Sequence, residues 1–218
     1  MRQRLFILAL LFALLDIGAE TMGLRSAVYV LKPLATLLLV AIVLRTGGAT
    51  PYRTWIAVGL AASLAGDILL MLPRDLFVQG LAAFLLAHLC YITAFSLDGA
   101  GLRAPWRPAV PIGAIAVGVL SWLWPSLGAM RAPVACYVAV ISVMSWQAIA
   151  RWQVRRTRGA ALAAIGSVFF LASDASLATR RFAVPFAGAT FVIMATYFAA
   201  QWGLTLSVPC NEGPATAR

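Results

Sequence analysis

Charge is what this sequence has least of. Only 11% of its 218 residues are Asp, Glu, Lys or Arg, against about a quarter in an ordinary soluble domain. A surface made from so few charges cannot face water over most of its area. Histidine and lysine are scarcer still, with one of each, His88 and Lys32. A single histidine, with no HxxxH or HxxE pair, argues against a metal centre, and no metal or other cofactor is expected. There is no GxSxG nucleophile elbow and no glycine-rich phosphate loop, which removes the usual serine hydrolases and nucleotide-binding folds. The three cysteines, Cys90, Cys136 and Cys210, are odd in number and far apart, so they form no disulfide framework.

What is abundant is apolar. Hydrophobic residues make up 62% of the chain, and its mean hydropathy is +0.92. A helix needs about 20 apolar residues to cross the bilayer core. Eight segments qualify, at 4–20, 26–44, 54–72, 76–97, 108–125, 131–150, 160–178 and 184–208. The expected fold is therefore all-α, a polytopic bundle of eight transmembrane helices. It forms one domain over 1–208 with a polar, disordered tail at 209–218. The first twenty residues have the basic start and apolar stretch of a signal peptide. Ile17, however, fits the small-residue rule for cleavage after Ala19 poorly, so an uncleaved first helix is expected.

The net charge of +10 comes from arginines in the connections, not from one basic stripe, and no nucleic-acid partner is expected. With the N-terminus inside, eleven arginines fall on the inner side and five on the outer. That excess places both termini in the cytoplasm. The preference for arginine over lysine suggests a GC-rich bacterial genome, hence a bacterial inner membrane.

Against this background two aspartates stand out. "SLAGDILLML" (63–72) holds Asp67 and "FFLASDASLA" (169–178) holds Asp174, each the only charge in its run. An aspartate at the centre of a membrane helix costs about 2.5–3.5 kcal/mol, while a leucine returns about 0.3–0.6. Such groups face the bundle interior and have a partner or a task. Both lie four or five residues from the outer end of their helices, about 6–8 Å deep at the helical rise. They also share an echo at an offset of 107. Leu70 falls on Leu177, Arg74 on Arg181, Ala82 on Ala189, and Phe84 on Phe191. The echo raises the expectation of two four-helix halves in parallel repeat.

Further polar residues accompany the pair. "YVLKPLATLLL" (29–39) puts Lys32 just inside the outer end of helix two. It can snorkel, pair with Asp67 or Asp174, or meet a phosphate, and Pro33 should weaken the helix there. In "FLLAHLCYITAF" (84–95), Phe84, His88 and Tyr91 share one face, with His88 set to floor a cavity under the aspartates. "MATYFAAQWGL" (194–204) places Tyr197 and Gln201 one turn apart. Tyr137 reads as hydrogen-bonding glue within the bundle, and Asp16 and Glu20 as a solvated rim. These residues suit an enzyme acting on lipid. They equally suit a lipid or proton-coupled transporter with paired carboxylates, or a lipid-binding scaffold.

Taken in order, Lys32-Pro33-Leu34, "SLAGDILL", "LFVQGLAAFLLAHLCYITAF", "IGSVFFLASDASLATRRF" and "TYFAAQWGL" resemble the YhhN-like family of integral-membrane lysoplasmalogenases. The resemblance runs from helix two to helix eight. It implies an eight-helix bundle that hydrolyses the vinyl-ether bond of a lysophospholipid substrate, releasing a fatty aldehyde and a glycerophospho-headgroup. It implies Asp67 and Asp174 as the catalytic pair. Substrate-binding positions would be Lys32, His88, Tyr91, Tyr197 and Gln201. Vinyl ethers hydrolyse through protonation at carbon to an oxocarbenium ion, to which water adds. Two neighbouring carboxylates suit this chemistry because both cannot easily ionise, so one keeps a proton while the other stabilises positive charge.

Overall fold

The chain is described here by a computed structural model covering residues 2–100 and 104–209. Eight long helices account for nearly all of it. They are α1 (Arg2–Thr21), α2 (Arg25–Leu44), α3 (Pro51–Met71), α4 (Phe77–Phe95), α5 (Ala109–Leu123), α6 (Arg131–Arg155), α7 (Arg158–Ala178) and α8 (Ala189–Leu206). Seven stretches, from α2 to α8, are long and apolar enough to cross a membrane. α1 is as long as α2 but carries Arg4, Asp16 and Glu20. Aliphatic side chains cover the outer faces, among them Leu14, Leu86, Ile115 and Val117. Apolar side chains exposed on this scale mark a surface solvated by lipid, and the chain is a multi-pass membrane protein.

The helix ends follow local chemistry. Thr50 and Thr157 each cap a helix, accepting from Arg53 N and Ala160 N at 3.2 Å, and Pro51 occupies the first turn of α3. Gly188, at φ 75°, takes the left-handed conformation that starts α8. This corrects the expected start of the eighth span at 184. Pro185 and Gly188 keep that stretch out of the helix, which begins at Ala189. Pro33 has the opposite outcome. α2 runs through it without a break, as membrane helices tolerate where neighbours support the backbone.

Seven helices close a ring in the order α1, α2, α3, α4, α6, α7, α8 and back to α1, while α5 packs chiefly on the outside of α6. The ring does not by itself single out two four-helix halves. Three pairs of the echo meet in space, and the others do not. Asp67 and Asp174, Leu70 and Leu177, and Arg74 and Arg181 line one cavity. It breaks at the phenylalanines, since Phe84 is buried and Phe191 faces outward, 56% exposed.

At the end of the bundle that holds Arg2, Asp98 accepts from Arg151 Nε at 2.7 Å and also pairs with Arg155, tying the turn Ser96–Ala100 to α6. Arg151 also lies over the Tyr52 ring, 4.4 Å from its centroid. Cys90 is half-buried and Cys136 exposed, while Cys210 and the tail beyond it lie outside the described residues.

α7 and α8 touch backbone to backbone. A Cβ on Gly203 would sit 2.8 Å from Gly166 Cα and 2.8 Å from Leu162 O. Gly203→Ala should therefore cost about 2 kcal/mol, the usual scale for overpacking. Gly113→Ala, with nothing within 4 Å of the added carbon, should not destabilise. Thermal unfolding of the two variants in one detergent checks the contrast.

Candidate active site

Each aspartate is held by a tyrosine from another helix. Asp67, four residues before the end of α3, is 5% exposed and accepts from the Tyr197 phenol of α8. Gln201 lies one turn along from Tyr197, and its Nε2 donates to the phenol oxygen at 2.6 Å. Asp174, four residues before the end of α7, accepts from the Tyr137 phenol of α6. His88 Nε2 of α4 lies 2.8 Å from that phenol oxygen and 3.4 Å from the same Asp174 oxygen. Two three-residue chains result, Gln201–Tyr197–Asp67 and His88–Tyr137–Asp174.

Phe170 fills the space between them. Its ring centre is 4.8 Å from that of His88, 5.7 Å from Tyr197 and 6.2 Å from Phe84, each contact close to edge-on. Small residues on α3 let α4 approach closely enough to complete this layer. A Cβ on Gly66 would lie 2.6 Å from the Phe84 ring, and one on Gly59 would lie 2.3 Å from the Tyr91 ring.

Both aspartates line the same cavity of about 840 Å³. Its rim is formed by the α1–α2, α3–α4 and α7–α8 connections, with Gly23, Arg74 and Arg181 in the lining. A second, apolar pocket lies between α4, α5, α6 and α7, lined by Ile115, Val119 and Val138 among others. Asp174, Phe84, Phe77, Leu70 and Leu177 belong to both. The polar chamber and the apolar one are thus neighbours that share a wall, and Asp174 is part of it.

Of the remaining expected site residues, Lys32 lines the polar cavity, buried to 8% exposure, and donates to Glu20 of α1 at 2.8 Å. Asp67 and Asp16 are within electrostatic reach of its ammonium group. Tyr197 also lines the cavity, with Gln201 one layer behind it, whereas His88 stands behind Asp174 and behind Tyr137, which lines the apolar pocket instead. Tyr91 does neither. It is fully buried, 3.3 Å from Ser63 Oγ, and packs against α3.

The expected solvated rim at Asp16 is corrected. Asp16 is fully buried and neither carboxylate oxygen has a hydrogen-bond partner. It sits one turn below Glu20 on the helix face that meets α2, which turns it inward. Tyr137 carried no local signal in sequence, being one aromatic residue in an apolar helix, and its link to Asp174 needs the fold. Among the described residues no group of three or more His, Cys, Asp or Glu is arranged to hold a metal ion.

A model of the YhhN family matches residues 27–208. The chain belongs to the YhhN family. Among its relatives, lysoplasmalogenase TMEM86A of Bos taurus is 35% identical over 169 residues, 75% of this chain and 69% of that one. A lysoplasmalogenase of Mycobacterium bovis is 37% identical over 166 residues, 67% of this chain and 61% of that one. The membrane protein YhhN of Escherichia coli, which carries no assigned activity, is 28% identical over 93% of this chain and 97% of its own length. No solved structure matches the chain. The family match begins beyond α1, so Glu20, the partner of Lys32, lies outside it.

Among the described residues, Lys32 is the one cation within electrostatic reach of all three acids Asp16, Glu20 and Asp67. Removing it leaves three carboxylates together, whereas removing Glu20 leaves the ammonium with two. Lys32→Met should therefore lower the melting temperature in detergent more than Glu20→Gln does. Equal losses would show that the lysine serves Glu20 alone.

Proposed function

We propose that this protein is a lysoplasmalogenase-like hydrolase. It cleaves the vinyl-ether bond of a lysophospholipid to a fatty aldehyde and a glycerophospho-headgroup, using Asp67 and Asp174 as its catalytic pair. The relatives named lysoplasmalogenases support the substrate class. The observation that carries the reading is that a polar cavity and an apolar pocket lie side by side with Asp174 in the lining of both. A lysolipid is polar at one end and apolar at the other, with its ether bond at the change. Laid across this junction, it brings the ether to the aspartates. We place the chain in a bacterial inner membrane with both termini cytoplasmic, as the arginine distribution suggests.

The two chains differ in what their far ends can do, and this supports distinct roles. Gln201 donates to Tyr197, whose own hydrogen then goes to Asp67. An amide does not release its proton, so this chain keeps Asp67 an acceptor. The Lys32 ammonium lies on this same side of the chamber. His88 ends the other chain, and an imidazolium can release a proton. It passes one to the Tyr137 oxygen as the phenol hydrogen moves to Asp174, leaving neutral imidazole and a carboxylic acid.

Asp174 then protonates the alkenyl carbon β to the ether oxygen, at the mouth of the apolar pocket. The double-bond electrons form the new C–H bond, and the positive charge spreads over the α carbon and oxygen. Asp67 stabilises that cation and takes a proton from the water that adds to it. The resulting hemiacetal collapses as Asp67 returns its proton to the departing glycerol oxygen and Asp174 takes the hydroxyl proton, giving aldehyde and alcohol with one water consumed and both carboxyls restored. Tyr197 and Tyr137 are positioning residues that hold the carboxylates toward the cavity.

Purified protein in detergent, given a lysoplasmalogen, should release aldehyde without any membrane gradient, whereas a carrier would release none. Asp67→Asn and Asp174→Asn should each lower the rate by at least about 100-fold, the scale of acid–base catalysis, while remaining folded. His88→Gln makes the second chain resemble the first and should lower kcat with little change in KM. Full activity in either asparagine variant would refute the paired mechanism.

A further inference from the structure

The cavity rim carries more positive charge than its acids can match. Four arginines line it, Arg25 at the first position of α2, Arg74 after α3, and Arg180 and Arg181 after α7, with Lys32 further in. Two acids lie at the same level, and both are taken. Glu20 holds Lys32 at 2.8 Å and Asp75 holds Arg181 at 2.6 Å. Among the described residues, Arg74 and Arg180 therefore have no acidic partner. Arg180 is nonetheless oriented, its Nη1 donating to Thr190 Oγ1 of α8 at 3.0 Å. It comes from the turn after α7, and Arg74 from the connection after α3, the two helices that carry the aspartates.

We propose that Arg74 and Arg180 form an oxyanion site for the phosphodiester of the substrate headgroup, which fixes how deep the lipid sits. This rests on the hydrolase reading above. The spacing fits the ligand. Arg180 follows Asp174 by six residues, about 9 Å at a helical rise of about 1.5 Å per residue. From the protonated alkenyl carbon to the phosphorus of a lysoplasmalogen there are seven bonds. Extended, at about 1.2 Å of advance per bond, they span about 8 Å. A phosphate held at the rim thus sets the vinyl ether at the level of Asp174, with the chain beyond it directed into the apolar pocket. Guanidinium groups suit this task because their planar donor fork matches phosphate oxygens. Lys32, already bonded to Glu20, does not serve as this contact and belongs to the Asp67 side of the chamber.

The test compares two substrates in nonionic detergent micelles, a 1-alkenyl-lysophosphatidylethanolamine and the matching 1-alkenyl-glycerol, which lacks the phosphate. The native protein should prefer the first. Arg180→Gln and Arg74→Gln, both at exposed positions, should each lower kcat/KM for the phospholipid about 10-fold, mainly through KM. Both should leave the rate on alkenyl-glycerol unchanged. Glycerophosphoethanolamine should inhibit the native protein and inhibit the variants less. If the variants lose equally on both substrates, or on neither, the phosphate site is wrong while the hydrolase reading stands. If the native protein hydrolyses neither substrate, it is the hydrolase reading that fails.

Discussion

A carboxylate inside a lipid-surrounded bundle survives only where the protein replaces the water it has lost. Here the replacement is a phenol hydrogen bond, made twice, and each one crosses between helices. Tyr197 brings α8 to α3, and Tyr137 brings α6 to α7. The second layer, Gln201 and His88, is needed because a buried phenol oxygen itself requires a donor or acceptor. The edge-to-face packing of Phe170 against His88, Tyr197 and Phe84 then separates the two chains with a wall that adds no competing polar group. The glycines at 59 and 66 complete the arrangement by letting α4 come close enough for Tyr91 and Phe84 to seat. Fold and site are in this sense one construction.

The relation of sequence to structure differs between levels. The helices were legible because lipid imposes a length of about 20 apolar residues, but two boundaries moved by five residues, the start of α8 from 184 to Ala189 and the end of α6 from 150 to Arg155. Pro185 and Gly188 delayed α8, while Pro33 left α2 unbroken because a packed membrane helix does not depend on every backbone bond. The aspartates were legible because a charge in an apolar run has a cost that packing alone does not justify. Partnerships were not legible. Lys32 was open to either aspartate or a phosphate, and its direct partner is Glu20. Asp16 read as a rim residue because the apolar run ends near it, yet the face it occupies turns it into the core. Tyr137 looked like any aromatic residue in an apolar helix. In each case the missing information was which helices are neighbours, and periodicity carries none of that.

The ring order explains why such different chemistries meet at one place. Because α4 neighbours α6 directly, with α5 displaced outward, His88 and Tyr137 can touch and the apolar pocket opens between α5 and the ring. Had α5 been inserted in sequence order, it would have separated His88 from Asp174. The displaced helix is also the most lipid-exposed of the set, with Ile112, Ala116 and Leu123 its only buried residues. The same rearrangement that assembles the polar chain therefore leaves a thinly packed wall beside it.

The backbone contact of α7 with α8 sets a limit on how this molecule can breathe. Gly166 and Gly203 leave no side-chain cushion between the two helices, so they travel as a single plank bearing Asp174 along one edge and Tyr197 along the other. A guest arriving from the bilayer cannot wedge them apart without breaking that seam. The give must come from beside the apolar pocket, where α5 buries only Ile112, Ala116 and Leu123.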